Sequence, residues 1–154
     1  MVTLHDADFM RQALSLAARA ASQGEVPVGA LVVYENNIVS EAYNERETRT
    51  SAVAHAELIA ISRACEGLRR WRLTGCTLYV TLEPCLMCAG AAVLARLDRV
   101  VYGAQDPKAG AAESLYTVLN DARLNHRPQV TRGVLAEECG EILSTFFRNK
   151  RNRV

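Results

Sequence analysis

Two short stretches of this sequence hold residue types that can do chemistry together: His55-Ala56-Glu57, and Pro84-Cys85-Leu86-Met87-Cys88. One imidazole and two thiols are good ligands for a divalent metal, and mixed N/S donors are what zinc favours. A structural zinc is usually closed by four protein ligands, whereas a catalytic one leaves its fourth position to water. No fourth ligand is evident beside these three. The pattern therefore predicts a catalytic centre, with His55, Cys85 and Cys88 as zinc ligands and Glu57 as the proton carrier beside them. The metal would lower the pKa of a bound water enough for hydroxide to form near neutral pH. Each half has a plainer reading: a lone Cys-x-x-Cys occurs as two core thiols in buried helices, and a lone His-x-Glu is weaker still. The conjunction is the specific signal.

The elements around these residues must bring them to one place. Asp8 to Gln23 repeats apolar residues at Met10, Leu14, Ala17 and Ala21, with Phe9, Ala13, Leu16 and Ala20 alongside. That spacing predicts a first helix, ended by Gly24. Ala30 to Tyr34 is β-rich, turns at Glu35-Asn36-Asn37 and returns through Ile38 to Tyr43, which predicts a hairpin. A polar loop from Asn44 to Ser51 precedes a second helix over Ala54 to Leu68, with His55 and Glu57 in its first turn. Residues two apart on a helix diverge by about 200°, so both can serve one site only off that helix's N-terminal end.

Cys76 to Leu82 is a near-continuous apolar and β-branched run, expected of a strand buried on both faces. It feeds into Pro84 and a third helix over Cys85 to Arg96, where the helix dipole favours thiolate. Arg99 to Ala104 reads as the next buried strand. Strand, helix and strand with short links predict a βαβ unit, so the sheet should be part parallel while the hairpin is antiparallel. Beyond it come a Gly/Ala-rich loop over Gln105 to Ser114, a short helix over Leu115 to Asn120, a strand over Val130 to Val134 and a closing helix over Leu135 to Phe147. Cys65, Cys76 and Cys139 lie on apolar runs and read as core thiols; His5 reads as exposed, and His126 sits in a polar loop with either role open.

The 154 residues fit a single domain, 1–154, with a core that needs no disulfide staples. At 49% hydrophobic and 23% charged, the composition excludes a disordered or low-complexity chain. No stretch reaches the roughly 18 apolar residues of a membrane span, and no export segment opens the chain. Five cysteines, with Cys-x-x-Cys beside a histidine, suit metal binding in a reducing, cytoplasmic setting. The net charge of +1 hides an asymmetry: residues 1–145 hold 14 basic against 17 acidic residues, whereas Arg148, Lys150, Arg151 and Arg153 face no acid. A solvated tail is the plain reading of that run, and a tail that meets phosphates is the functional one.

The His-x-Glu and Pro-Cys-x-x-Cys pair is the known signature of zinc nucleobase deaminases. Together with Gly24-Glu-Val-Pro-Val-Gly-Ala30, Thr77 to Gly90, Arg99 to Ala104, Asn125-His126 and Phe146-Phe-Arg148, it resembles the tRNA-specific adenosine deaminases of bacteria, in the cytidine and deoxycytidylate deaminase superfamily. That resemblance spans nearly the whole chain. It implies an α/β chain with the three-layer α/β/α cytidine-deaminase-like fold and a mixed five-stranded sheet. It also implies a homodimeric hydrolase that converts adenosine to inosine at the wobble position of a tRNA anticodon stem-loop. Carried over residue by residue, it makes His55, Cys85 and Cys88 the zinc ligands and Glu57 the proton shuttle. It sets Asn44 beside the target nucleoside, Asp106 and Asn125 near the flanking nucleotides, and Phe147 and Arg148 on the end helix that touches the same loop. Glu113 stands where that family usually has a small residue, and would add negative charge near an RNA path.

Two other functions stay open on the sequence. One is deamination of a free base or nucleotide such as guanine or cytosine; the other is a non-catalytic, zinc-stabilised RNA-binding subunit. The basic tail and the Phe146-Phe147 pair favour RNA, since a flipped base needs stacking surfaces and its neighbours need cations. Glu57 argues against the subunit, which would have no use for a carboxylate that binds no metal.

Overall fold

The computed structural model describes residues 5–152. Helix α1 (Asp6–Ser22) is followed by strands β1 (Gly29–Tyr34) and β2 (Asn37–Tyr43), helix α2 (Ala56–Leu68), strand β3 (Cys76–Leu82) and helix α3 (Leu86–Leu94). Strand β4 (Arg99–Ala104), a 3-10 turn (Val118–Asn120), strand β5 (Gln129–Thr131) and helix α4 (Ala136–Asn152) complete the order. Arg153, one of the four tail cations, lies outside the described residues.

The strands form one sheet in the order β2-β1-β3-β4-β5. β1 pairs antiparallel with both β2 and β3, while β3–β4 and β4–β5 are parallel. Period-2 alternation explains the layers, because successive side chains of a strand point to opposite faces. Ala30, Val32, Leu78, Val80, Val100 and Tyr102 face the side where α2 and α3 contribute Ala60, Ala64, Ala89 and Ala92. Leu31, Val33, Tyr79 and Val101 face the other side, against Met10, Ala13 and Leu16 of α1 and Cys139 of α4. Both faces are covered, which gives three layers, α/β/α.

The hairpin turns on two residues, Glu35 and Asn36, both at positive φ (50° and 63°). That backbone twist matches the flanking strands, as the residues of a tight hairpin turn must. Gly29 lets α1 lie against β1: a Cβ there would stand 2.0 Å from the carbonyl oxygen of Ala13. Several boundaries differ from the sequence expectation: α1 begins at Asp6, α3 ends at Leu94 rather than Arg96, and β5 is Gln129–Thr131 rather than Val130–Val134. α2 and α3 begin after His55 and Cys85, which are their N-cap residues with extended backbones (ψ 147° and 179°) and lie outside the first turn. Only Val118–Asn120 of the expected short helix is formed, as a 3-10 turn. α4 continues past Phe147 to Asn152 because a solvated helix needs no apolar spacing to persist.

Candidate active site

β3 and α2 bring the two chemical stretches together. β3 ends at Leu82, and the ladder runs one bond further, from Glu83 N to the Ala104 carbonyl at 2.8 Å. Pro84 and Cys85 then turn the chain into α3, whose first turn holds Cys88. Neither N-cap side chain satisfies its own helix. They are turned toward each other instead: His55 Nδ1 lies 3.6 Å from Cys85 Sγ and 3.5 Å from Cys88 Sγ. The three donor atoms lie within 4.8 Å of one another and could hold a metal ion. An extended N-cap residue points its side chain back over the helix end, so His55 and Glu57 reach one site although two residues apart.

The electrostatics of the cluster follow from burial and shared protons. The Cys85 thiol is drawn down to about 3, chiefly by its hydrogen bond with Cys88. The same hydrogen bond, with burial, pushes the Cys88 thiol up. The hydrogen bond with Cys85 raises His55. Glu57 is 4% exposed, and burial pushes its carboxyl up to about 7, against the pull of His55 and the Cys88 hydrogen bond. A carboxyl at that value can both take and give a proton near neutral pH.

Beside the cluster lies a cavity of about 220 Å³ lined by His55, Glu57, Cys85, Asn44, Arg46, Asp106 and Ala109, among others. Of the residues expected at the site, Asn44 and Asp106 are thus brought to His55, Glu57 and Cys85. Asn44 sits just past β2 and is buried; its amide donates to the Val26 carbonyl at 3.2 Å and its oxygen accepts from Arg46 N at 3.2 Å. Asp106 Oδ1 accepts from the backbone of Lys108 and Ala109 at 3.1 and 3.2 Å. Asn125 is not among the cavity's lining residues. It is exposed, on the segment leading to β5, and its neighbour His126 places Nε2 2.7 Å from the Leu97 carbonyl, before β4 begins. That contact gives His126 a structural role. Phe147 and Arg148 are exposed on α4 outside the cavity; Phe146 and Lys150 of the same helix border a groove with Ala21, Ser22 and Gly24 of the α1 end.

Sequence reasoning missed two supports of this cavity, the buried carboxylates of Glu25 and Glu83. An acid directly after a strand buried on both faces was the available signal for Glu83. Glu113, expected to add negative charge near an RNA path, is partly exposed and has partners within the protein. Its carboxylate accepts a hydrogen bond from the Tyr102 hydroxyl and pairs with Arg132 at 2.7 Å, which holds it below the usual carboxylate range. Its charge is thereby shared within the protein.

Comparison with known proteins agrees with this geometry. The MafB19-like deaminase family model matches residues 4–151. The tRNA-specific adenosine deaminase of Bacillus subtilis (strain 168) is 50% identical over 145 residues, covering 94% of this chain and 90% of its own. A structure from a study of A-to-I editing by tRNA:A34 deaminases at the wobble position superimposes with a TM-score of 0.85 at 43% identity, over 88% of this chain and 99% of that one. A guanine deaminase from Nitrosomonas europaea shares the fold at a TM-score of 0.76 and 22% identity, over 89% and 81% of the two chains. The sheet order, the two helical layers and half identity over nearly the full length lead to one conclusion: the chain belongs to the MafB19-like deaminase family, and within it to the tRNA-specific adenosine deaminases.

Proposed function

We propose that this protein is a zinc-dependent hydrolase that deaminates adenosine to inosine at the wobble position of a tRNA anticodon, as a cytoplasmic homodimer. The observation that carries the reading is a buried carboxyl, Glu57, beside three convergent metal donors in a cavity of nucleobase size. The donor set fits zinc. With Zn–N of about 2.0–2.1 Å and Zn–S of about 2.3 Å, tetrahedral nitrogen and sulfur ligands lie about 3.6 Å apart. The two N···S separations are 3.6 and 3.5 Å.

His55, Cys85 and Cys88 would hold the metal. When bound, zinc lowers the pKa of a water and makes it nucleophilic near neutral pH. Glu57 Oε takes one proton from the attacking water and delivers it to N1 of the adenine ring; it then takes the second proton from the hydroxyl now on C6 and passes it to the amine, so that C6=O forms as the C6–N bond breaks and ammonia leaves. Asn44 and Asp106, as cavity residues, orient the nucleoside and its neighbour, and Asn125 supports the flanking loop. Phe147 and Arg148 offer a stacking surface and a cation to the same RNA. Among the described residues, none of the cations Arg148, Lys150 and Arg151 has a carboxylate within 4.0 Å, so all are available to phosphates. Exposed Leu86 and Leu94 on α3 and Val53 before α2 supply apolar surface for a second copy to cover. No helix among the described residues is long and apolar enough to cross a membrane.

The decisive assay compares inosine formation on a stem-loop RNA bearing adenosine at the wobble position with ammonia release from free adenosine, guanine and cytosine. The stem-loop should be turned over and the free compounds poorly, because contacts to neighbouring nucleotides supply binding that a lone base lacks. Robust release from guanine or cytosine with none from the RNA overturns the tRNA reading. Metal analysis should find about one zinc per chain, and full occupancy in a folded Cys88→Ala protein overturns the ligand assignment.

A further inference from the structure

Two carboxylates that play no part in the chemistry above are as buried as core leucines: Glu25 is 1% exposed and Glu83 2%. Among the described residues neither has a cation within 4.0 Å. A buried carboxylate needs donors to replace its lost hydration, and both find them on the backbone of loops that wall the cavity. Glu25 Oε1 accepts from Glu47 N at 3.0 Å, and Oε2 accepts from Thr48 N at 2.7 Å. Glu83 Oε1 accepts from Asp106 N at 3.0 Å and from the Ser114 hydroxyl. Its Oε2 accepts from the N–H groups of Ala112, Glu113 and Ser114 at 3.2, 3.0 and 2.9 Å.

The loop closes so tightly on Glu83 that Gly110 has no space for a side chain. A Cβ there would stand 2.3 Å from Glu83 Cδ. No ladder holds this loop, since β4 ends before it at Ala104 and the next regular element is the 3-10 turn at Val118–Asn120. The Glu83 loop carries Asp106 and Ala109 into the cavity wall, and the Glu25 loop carries Arg46. Ordering such irregular segments costs conformational entropy, and each would otherwise be ordered when substrate binds.

We propose that Glu25 and Glu83 are positioning residues that preset two walls of the cavity in the free protein. Substrate then enters a formed pocket, and its affinity depends on these carboxylates more than the chemical step does. The substrate's identity rests on the tRNA reading above; the presetting does not, because it is a property of the unliganded protein.

The test uses zinc-loaded protein and the Glu83→Gln variant, which keeps the side chain's size but turns one acceptor into a donor facing N–H groups. In hydrogen exchange, the amides of Asp106, Ala112, Glu113 and Ser114 should exchange about tenfold faster or more, with α1 and β3 unchanged. Glu25→Gln should do the same at Glu47 and Thr48. With a wobble-adenosine stem-loop as probe, KM should rise about tenfold while kcat stays within about threefold. Unchanged exchange at those amides overturns the proposal. So does a fall in kcat at constant KM, loss of zinc, or exchange that rises equally across β1 and β3, since each makes the carboxylate a part of the chemistry, the metal site or the general fold. If Glu83→Gln does not fold, Gly110→Ala moves the same loop while keeping the carboxylate. It should give the same local exchange and KM pattern, and normal values there overturn the proposal as well. A wild-type protein that ignores the stem-loop sinks the tRNA reading alone, because the exchange measurement still decides the presetting.

Discussion

On the α1 face of the sheet a buried carboxylate is balanced by a cation; at the C-terminal end of β3 and β4 buried carboxylates are balanced by amides or by nothing charged at all. Asp6 is fully buried and takes both ends of the Arg99 guanidinium, at 2.9 and 2.6 Å, together with the Tyr79 hydroxyl at 2.7 Å. Arg99 also donates to Thr131 Oγ1, so one charge pair ties α1 to β3, β4 and β5. Glu25 and Glu83 instead collect backbone N–H groups and tie loops. Among the described residues Glu57 has no Lys, Arg or His ion pair within 4.0 Å, and burial raises it to about 7. The first arrangement fixes elements to one another, the second fixes irregular chain in a shape, and the third leaves a proton in play. The same functional group thus serves fold, shape or chemistry according to what it is buried against.

The comparison is broken most directly at Glu57. Glu57→Gln keeps the volume and removes the titrating group, so deamination of the stem-loop should fall by about 10²–10⁴-fold while zinc content is retained. Stability of the zinc-loaded variant should stay within about 1 kcal/mol of wild type, since the side chain's volume is kept and no metal donor is removed. Turnover near the wild-type value would sink the shuttle role. A clear loss of stability would show that this carboxylate too was holding structure.

Asp6 should behave in the opposite way. Asp6→Ala takes a buried carboxylate away from the half-buried Arg99 and from the Tyr79 hydroxyl, and losing such charge-assisted hydrogen bonds costs about 1.5–3 kcal/mol. Denaturant unfolding should report that loss, with kcat per folded molecule unchanged. The double variant Asp6→Leu/Arg99→Met should cost less than the sum of the two singles, because each single already removes the contact the two side chains share. Additive costs would show that the two side chains are not energetically linked.

What could be read from the chain without coordinates divides along the same line. β3 and β4 were legible residue for residue, because strands buried on both faces leave unbroken apolar runs at Cys76–Leu82 and Arg99–Ala104. That His55, Cys85 and Cys88 would converge, with Glu57 beside them, was legible because residue type and spacing are constrained together. The helix starts were not: apolar periodicity continues through His55 and Cys85 and is blind to the extended backbone that turns their side chains toward each other. Glu25 and Glu83 were missed because a carboxylate that binds loop amides leaves no period in the sequence. Asn125 rests on resemblance alone: it is exposed on the segment leading to β5, next to His126, whose ring meets the Leu97 carbonyl.

The smallest expected effect is the most diagnostic of how the amide-bound carboxylates work. Burial pushes the Glu25 carboxyl up, but the hydrogen bonds from Thr48 and Glu47 and the nearby Arg46 outweigh it, and its pKa is lowered overall. A group with a lowered folded pKa contributes stability that is fully present above its unfolded value, about 4.3 for glutamate, and is lost as pH falls through the folded value. Glu25→Gln should therefore be less stable than wild type at pH 7, by about 1–3 kcal/mol if a loop amide is left without an acceptor. The two proteins should converge as pH drops below about 4, where the wild-type carboxyl takes up its proton and loses the same advantage. Urea unfolding at a series of pH values measures both quantities. A difference that stays constant down to pH 3 would mean that the side chain acts through packing and not through its charge. A Glu25→Gln protein as stable as wild type at pH 7 would mean that water replaces the carboxylate at no cost, and that this wall of the cavity is held by other contacts.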